Sequence, residues 1–199
     1  IHIDVEKYPI TPLFEKFMDE IAKGNDKNLA GENLQARLRG LILMYFSNRD
    51  GRLLLSTGNK SELAMGFCTL YGDMAGGINI IADLFKTEVY ALANYINRNG
   101  LVIPQEIIDK VPSAELRPNQ KDQDRLPEYD VLDDIINCYL AKNFNHEKMY
   151  KKYGKELVKD VIKKLYRAQF KRKQACLGIR LSENSFLNGF DIPIVQRYY

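Results

Sequence analysis

The sequence has few of the residues on which several enzyme classes depend. Its 199 residues include three cysteines, two histidines and no tryptophan. The odd number and wide spacing of the cysteines argue against a disulfide framework or a zinc pair. Neither histidine has a second metal ligand three or four positions away on a shared helical face, so a zinc hydrolase is not expected. The dispersed thiols fit a reducing compartment, which predicts a cytoplasmic protein.

Long apolar segments and common nucleotide motifs are also missing. The longest unbroken apolar run covers residues 41–46, whereas a membrane-spanning helix needs roughly 20 apolar residues, so no membrane partner is expected. No GxxxxGK[ST], GxGxxG or GxSxG string occurs. The sequence begins at Ile1 without a basic, apolar leader, which predicts a piece of a longer or trimmed protein and not a secretory precursor.

Positive charge is concentrated near the carboxyl end of the chain. The formal net charge is +3, yet residues 151–173 hold ten basic and two acidic side chains. Most of these lysines are interpreted as the solvated face of a helix. An apolar stripe interrupts them and only Tyr166 and Phe170 could stack on bases, so nucleic acid is not expected as a partner. A non-catalytic basic module for binding or assembly stays open as an alternative.

Apolar periodicity predicts short strands that alternate with helices. Strands are predicted at residues 1–5, 52–56 and 78–81, and the apolar centre of the second predicts burial in a parallel sheet. Asp83 is predicted to cap the helix that follows the third strand. The fold class is therefore α/β, a partial parallel sheet with flanking helices. Helices are predicted at residues 12–21, 34–46, 61–71, 83–96, 105–110, 131–140 and 154–173, with loops at 24–31, over most of 100–134 and over the last twenty-odd residues.

Polar side chains at two strand-to-helix junctions predict a nucleotide site. Thr57 and Glu62 follow the second predicted strand, and Lys86 follows the third. Because parallel strands end at the same edge of a sheet, a hydroxyl, a carboxylate and an ammonium there suit a nucleotide with Mg²⁺. A capping threonine and a first-turn glutamate also occur for helix stability alone, so residue type leaves both interpretations open.

Seven longer strings favour the functional interpretation, because together and in order they resemble the synthetase domain of glutamine-dependent NAD synthetases. They are ENLQARLRG at 32–40, STGNKSE at 56–62, GFCTLYGD at 66–73, DLFKTEV at 83–89, PSAELRPNQ at 112–120, DRLPEYDVLDD at 124–134 and FKRKQA at 170–175. The resemblance implies the adenine nucleotide alpha hydrolase-like (N-type ATP pyrophosphatase) fold. Residues 1–199 would form the carboxyl-terminal part of the synthetase domain.

The resemblance also implies an activity. It is the ATP-dependent, Mg²⁺-requiring amidation of deamido-NAD to NAD, with AMP and pyrophosphate released and ammonia supplied from glutamine by an amidase domain. Family members dimerise through the synthetase domain, and the apolar stripe at 34–46 is a candidate for that contact, although burial within its own domain predicts the same pattern. Another N-type ATP pyrophosphatase, such as GMP synthetase, stays the alternative enzyme.

The same resemblance implies ligand roles for particular residues, although it leaves the catalytic residues unknown. The family's SGGxDS motif, the strand that carries it, the next strand and the amidase domain are not in this chain, so the chain by itself is expected to be inactive. The implied ATP-binding residues are Thr57, Lys86 and Ser113, and Glu62 is the implied metal residue. The implied deamido-NAD residues are Asn33, Arg37, Glu62, Phe67, Cys68, Thr69, Leu70, Tyr71, Gly72, Asp73 and Lys171.

Overall fold

The computed structural model describes residues 4–23, 28–141, 144–187 and 192–194. Within these ranges short parallel strands alternate with helices, as the periodicity predicts. The elements are α1 (Thr11–Phe17, continued by a π-helical turn at Met18–Ala22), α2 (Leu29–Asp50), β1 (Leu55–Ser56), α3 (Lys60–Met65), β2 (Ile78–Asn79), α4 (Lys86–Ile96), α5 (Gln105–Asp109), α6 (Tyr129–Leu140), α7 (His146–Tyr153), α8 (Lys155–Arg167), α9 (Gln169–Arg172) and β3 (Leu177–Gly178).

The sheet has the order β1-β2-β3 and both strand pairs are parallel. In register, Leu55 lies opposite Ile78, which lies opposite Leu177. The α/β prediction is therefore confirmed, but the third strand is not the predicted one. Residues 4 and 5 form no strand, residues 1–3 lie outside the described ranges, and β3 falls in a segment predicted to be loop.

The predicted burial of the strand before Thr57 is wrong. Leu53 is 68% exposed and Leu55 is 47% exposed, whereas Ser56 is 4% exposed. The reason is topological, since β1 is the edge strand of the described sheet and pairs with β2 alone. Ser56 therefore packs on the protein, while Leu53 and Leu55 face outward.

Four helices, α3, α6, α7 and α8, enclose the main core. Leu132, Ile135 and Ile136 on α6 are fully buried, as is Val158 on α8. Spacings of three and four residues place the three α6 side chains on one helical face. The same spacing places Val158, Val161 and Leu165 on one face of α8, which is why the sequence predicts both helices. Sequence periodicity does not predict α7; it begins where the Asn145 side chain accepts a hydrogen bond from the Lys148 amide at 3.0 Å.

Helix α2 begins earlier and is more exposed than its apolar pattern suggests. The Asn28 side chain accepts a hydrogen bond from the Ala30 amide at 2.8 Å, and this cap starts the helix at Leu29, inside the predicted loop. Farther along, Leu41 is 65% exposed and Tyr45 is 59% exposed. The stripe at 34–46 is therefore left largely open by the described part of its own chain.

The amino-terminal half of α2 lies directly on the loop that follows α3. A Cβ atom added at Gly40 would lie 2.9 Å from the Gly72 carbonyl oxygen, and one added at Gly72 would lie 3.0 Å from the Ala36 side chain. The distance at Gly40 is shorter than real Cβ contacts and meets backbone, so glycine is required there, and the one at Gly72 is at the limit. The contact brings the α2 residues near Arg37 alongside residues 66–73.

Candidate functional site

Glu62 is fixed at the junction between β1 and α3 by a reciprocal helix cap. The Asn59 side chain accepts a hydrogen bond from the Glu62 amide at 2.9 Å, and Glu62 Oε2 accepts one from the Asn59 amide at 3.0 Å. The other carboxylate oxygen, Oε1, lies 3.7 Å from the Lys86 ammonium nitrogen. One carboxylate oxygen of Glu62 therefore stabilises the start of α3, and the other faces Lys86.

The Glu62–Lys86 pair occupies a partly desolvated position. The two side chains are 22% and 21% exposed. Burial raises the pKa of the Glu62 carboxyl above its usual value, and the neighbouring ammonium opposes that shift. Lys86 also lies 5.6 Å from the ring centre of Tyr129. The structure thus brings together Glu62 and Lys86, which the sequence places after neighbouring strands. Thr57 is exposed in the turn before α3.

The prediction that Asp83 caps a helix is wrong, because its carboxylate holds the carboxyl-terminal segment. Asp83 Oδ2 accepts hydrogen bonds from the amides of Leu181 at 2.8 Å and Ser182 at 2.7 Å. Its Oδ1 lies 3.1 Å from the ammonium of Lys60, which is 1% exposed. Burial alone raises the pKa of Asp83, but the two amides and the ammonium outweigh it, so the pKa lies below its usual value.

A cleft opens between α2 and the loop at 66–73. The Thr69 hydroxyl donates to Asn33 Oδ1 at 2.7 Å, and Arg37 Nε donates to the Leu70 carbonyl oxygen at 3.2 Å. Two cavities, of about 130 and 320 Å³, adjoin here and share Thr69 and Asp73 in their walls. The smaller is also lined by Asn33, Phe67, Cys68 and Lys171, and the larger by Thr57 and Gly72.

Some side chains of the loop at 66–73 pack on apolar clusters, and others are exposed to solvent. Phe67 packs on the main core and Leu70 on a smaller apolar cluster. Burial raises the pKa of the Cys68 thiol to about 12, so it stays protonated at neutral pH. Tyr71 has a positive φ of 63° and is 69% exposed, and the exposed Asp73 accepts a hydrogen bond from the Thr69 amide at 2.6 Å.

The long loop before α6 is tied to α2 and forms one side of this cleft. Gln35 donates a side-chain hydrogen bond to the Leu116 carbonyl oxygen at 2.9 Å, and Arg125 pairs with Glu32 at 3.0 Å. Both cavities are lined by Leu116. In the same loop the Ser113 hydroxyl accepts a hydrogen bond from a nearby amide at 3.0 Å. The structure therefore brings Leu116 of this loop to the cleft, whereas Ser113 lines a separate cavity with Lys110 and Arg117.

Lys171 lines the smaller cavity but is partly engaged in structure. Its ammonium donates to the carbonyl oxygens of Gly66 at 2.8 Å and Cys68 at 2.6 Å, which uses two of its three donors. The next residue, Arg172, donates at 3.1 Å to the Leu63 carbonyl oxygen near the end of α3. Burial lowers the pKa of Arg172 to about 10. Sequence reasoning missed Arg172 because it is one of ten basic residues in its segment.

A protein-family model described as NAD synthase matches residues 1–175. The chain belongs to this family. The glutamine-dependent NAD(+) synthetase of Thermotoga maritima is 42% identical over 196 residues, covering 96% of this chain and 34% of that protein. The synthetase of the same description from Acinetobacter baylyi is 47% identical over 195 residues, covering 94% of this chain and 36% of that protein. The chain thus spans about a third of the length of these curated relatives.

Solved structures give the same fold. An NMN synthetase from Francisella tularensis superposes with a TM-score of 0.67 at 27% identity, covering 88% of this chain and 64% of that chain. An NH3-dependent NAD synthetase from Campylobacter jejuni superposes with a TM-score of 0.60 at 25% identity, covering 81% of this chain and 59% of that chain. The predicted family and the adenine nucleotide alpha hydrolase-like fold are confirmed, and neither a GMP synthetase nor a basic binding module is favoured.

The described ranges contain neither a membrane-spanning helix nor a cluster of three or more candidate metal ligands. Across the residues that the structure describes, no helix is both long and apolar enough to cross a bilayer. The same ranges contain no group of three or more histidine, cysteine, aspartate or glutamate side chains arranged to hold a metal ion. The Glu62 carboxylate lies beside the Lys86 ammonium and not in such a group.

Proposed function

We propose that the protein containing this chain is a carbon–nitrogen ligase that amidates deamido-NAD to NAD. It would consume ATP, release AMP and pyrophosphate, and take its ammonia from glutamine. Residues 1–199 would supply the carboxyl-terminal part of the synthetase domain. The observation that carries the proposal is the Glu62–Lys86 pair, 3.7 Å apart at the carboxyl edge of the sheet, in a chain of the NAD synthase family.

The phosphates of ATP would lie against the starts of α3 and α4. Lys86 would neutralise phosphate oxygens, and the Thr57 and Ser113 hydroxyls would donate hydrogen bonds to the nucleotide. Glu62 would hold Mg²⁺, which when bound supplies positive charge for the phosphate oxygens. One Glu62 oxygen is already fixed by the Asn59 amide, so the other can bind without reorganisation of the helix start.

Deamido-NAD would occupy the cleft between α2 and the loop at 66–73. Arg37 is exposed and uses its Nε to hold the Leu70 carbonyl, so the guanidinium is oriented toward an anionic ligand. Lys171 would use its remaining donor on the dinucleotide. The proposed contacts come from Asn33, Arg37, Glu62, Phe67, Cys68, Thr69, Leu70, Tyr71, Gly72, Asp73 and Lys171.

Two broader properties belong to the same proposal. The exposed face of α2, with Leu41 at 65% and Tyr45 at 59% exposure, supports a homodimer through the synthetase domain. The described cysteines, Cys68, Cys138 and Cys176, are all free, which supports a reducing, cytoplasmic location.

The decisive assay uses the full-length protein with ATP, Mg²⁺, deamido-NAD and either glutamine or ammonium. Equal amounts of NAD, AMP and pyrophosphate are expected, and xanthosine monophosphate should not compete with deamido-NAD. The 199-residue chain alone should form none of these products, because it contains no SGGxDS string. A full-length protein that amidates xanthosine monophosphate but not deamido-NAD would contradict the proposal.

A further inference from the structure

Asp133, on α6, connects the two helices that carry Glu62 and Lys86. Its Oδ1 accepts a hydrogen bond from the Ser61 hydroxyl on α3. Its Oδ2 accepts two hydrogen bonds from Thr87 on α4, from the amide at 3.0 Å and from the hydroxyl at 2.9 Å. A single carboxylate therefore bonds to the residue before Glu62 and to the residue after Lys86.

Ser61 completes the connection between the helices. Its hydroxyl oxygen accepts a hydrogen bond from the Lys86 amide at 2.9 Å while its proton goes to Asp133. The start of α4 is thus bonded to α3 directly and through α6. These bonds hold the Lys86 amide directly and the residue before Glu62 through its side chain.

Burial makes these bonds hard to replace. Ser61 is 0% exposed and Asp133 is 5% exposed. Water has little access to such groups, so a lost partner leaves a donor or acceptor without compensation. Asp133 lies in the string at 124–134, but the sequence analysis assigns it no individual role.

We propose that Asp133 is a positioning residue for the ligase reaction. It sets the start of α4 against the start of α3. The Lys86 ammonium and the metal-binding oxygen of Glu62 would then face the same phosphate group. The inference rests on the proposed function. Because reacting groups tolerate little misplacement, a shift of about 1 Å between the two helix starts is expected to cost up to about 100-fold in turnover.

The kinetic test uses Asp133→Asn and Thr87→Val in the full-length protein. Asparagine presents an N–H₂ donor to either Ser61 or Thr87, and valine removes the Thr87 hydroxyl. We expect kcat for NAD formation to fall about 10- to 100-fold in Asp133→Asn and less in Thr87→Val, with the KM for deamido-NAD changed less than about threefold. Thr87→Ser keeps the amide and the hydroxyl that donate to Asp133, so it should keep the wild-type kcat.

The neighbouring aspartate provides a matched control. Asp134 accepts hydrogen bonds from Lys152 at 2.9 Å and Tyr153 at 2.6 Å, both on α7 and away from the helix starts. Asp134→Asn therefore alters two side-chain hydrogen bonds on the same helix, one of them within an ion pair, and should keep the wild-type kcat. Equal losses of kcat in Asp133→Asn and Asp134→Asn would overturn the positioning role.

Amide hydrogen exchange supplies a readout that does not depend on turnover. The Lys86 and Thr87 amides should exchange at least tenfold faster in Asp133→Asn, while amides in the second half of α4 keep their wild-type rates. Faster exchange with wild-type kcat would overturn the inference while leaving the proposed function standing. A wild-type protein that makes no NAD would instead refute the proposed function, and the positioning role with it.

Discussion

The helical side of this molecule buries its apolar residues, whereas the side formed by α2 and β1 exposes them. Leu132 and Ile136 on α6 are 0% exposed, while Leu41 on α2 is 65% exposed and Leu53 beside β1 is 68% exposed. Helix α3 lies at the boundary: it packs on α6 and α8 and begins just after β1. The difference indicates that the helical side holds the Glu62–Lys86 pair in place, whereas the described residues leave apolar side chains on the other, open side uncovered.

The largest effect is expected from a cavity on the helical side. Ile136→Ala should lower the local free energy of opening of α6 and α8 by about 2–5 kcal/mol, because the fully buried site cannot collapse completely. Leu41→Ala on the open side should change stability by less than about 0.5 kcal/mol. Native-state hydrogen exchange on the full-length protein measures both. Equal losses would remove the distinction between the two sides.

A smaller effect is expected at the boundary, where Arg172 joins α9 to α3 and α8. Its guanidinium donates to the carbonyl oxygens of Leu63 and Ala64 at 3.1 Å and of Leu165 at 2.7 Å. Arg172→Met leaves these acceptors without their donor and should cost about 2 kcal/mol.

Hydrogen exchange at the end of α3 measures the effect of Arg172→Met. The exposed Arg167 provides the control, since Arg167→Met should leave the same amides unchanged. Wild-type exchange rates in Arg172→Met would show that the end of α3 does not depend on this link.

A further effect concerns pH and the attachment of the carboxyl-terminal segment to Asp83. The pKa of Asp83 is lower in the folded protein than in the unfolded chain, so its contribution is present above the unfolded pKa of about 3.9 and is lost as the pH falls through the folded pKa. Amides around Ser182 should therefore stay protected at pH 7 and lose protection in acid. In Asp83→Asn, the amides around Ser182 should already have lost their protection at pH 7, and acid should lower that protection little further. If acid lowered the protection of these amides as much in Asp83→Asn as in the wild-type protein, a group other than Asp83 would be responsible for the pH dependence.

Much of the helical side could be predicted from the sequence, because burial there follows a helical period. The Glu62–Lys86 pair could be predicted as well, since parallel strands end at one edge and each residue follows a strand. Strand β3 could not, because the two residues Leu177–Gly178 show no alternation. The partners of Asp83 lie 98 and 99 positions away, where local spacing carries no information. Exposure of β1 depends on what pairs with its edge, which apolar content does not specify.

The central claim is that Glu62 and Lys86 form one phosphate and metal site, and Glu62→Gln tests it most directly. Glu88 gives the control, because its carboxylate likewise accepts a hydrogen bond from the amide three residues earlier, that of Phe85 at 2.7 Å, and glutamine keeps a side-chain oxygen as acceptor. In the full-length protein, Glu62→Gln should lower kcat for NAD formation by about 100-fold or more and raise the Mg²⁺ concentration needed for half-maximal rate. Glu88→Gln should keep both values. Wild-type turnover and Mg²⁺ dependence in Glu62→Gln would contradict the account.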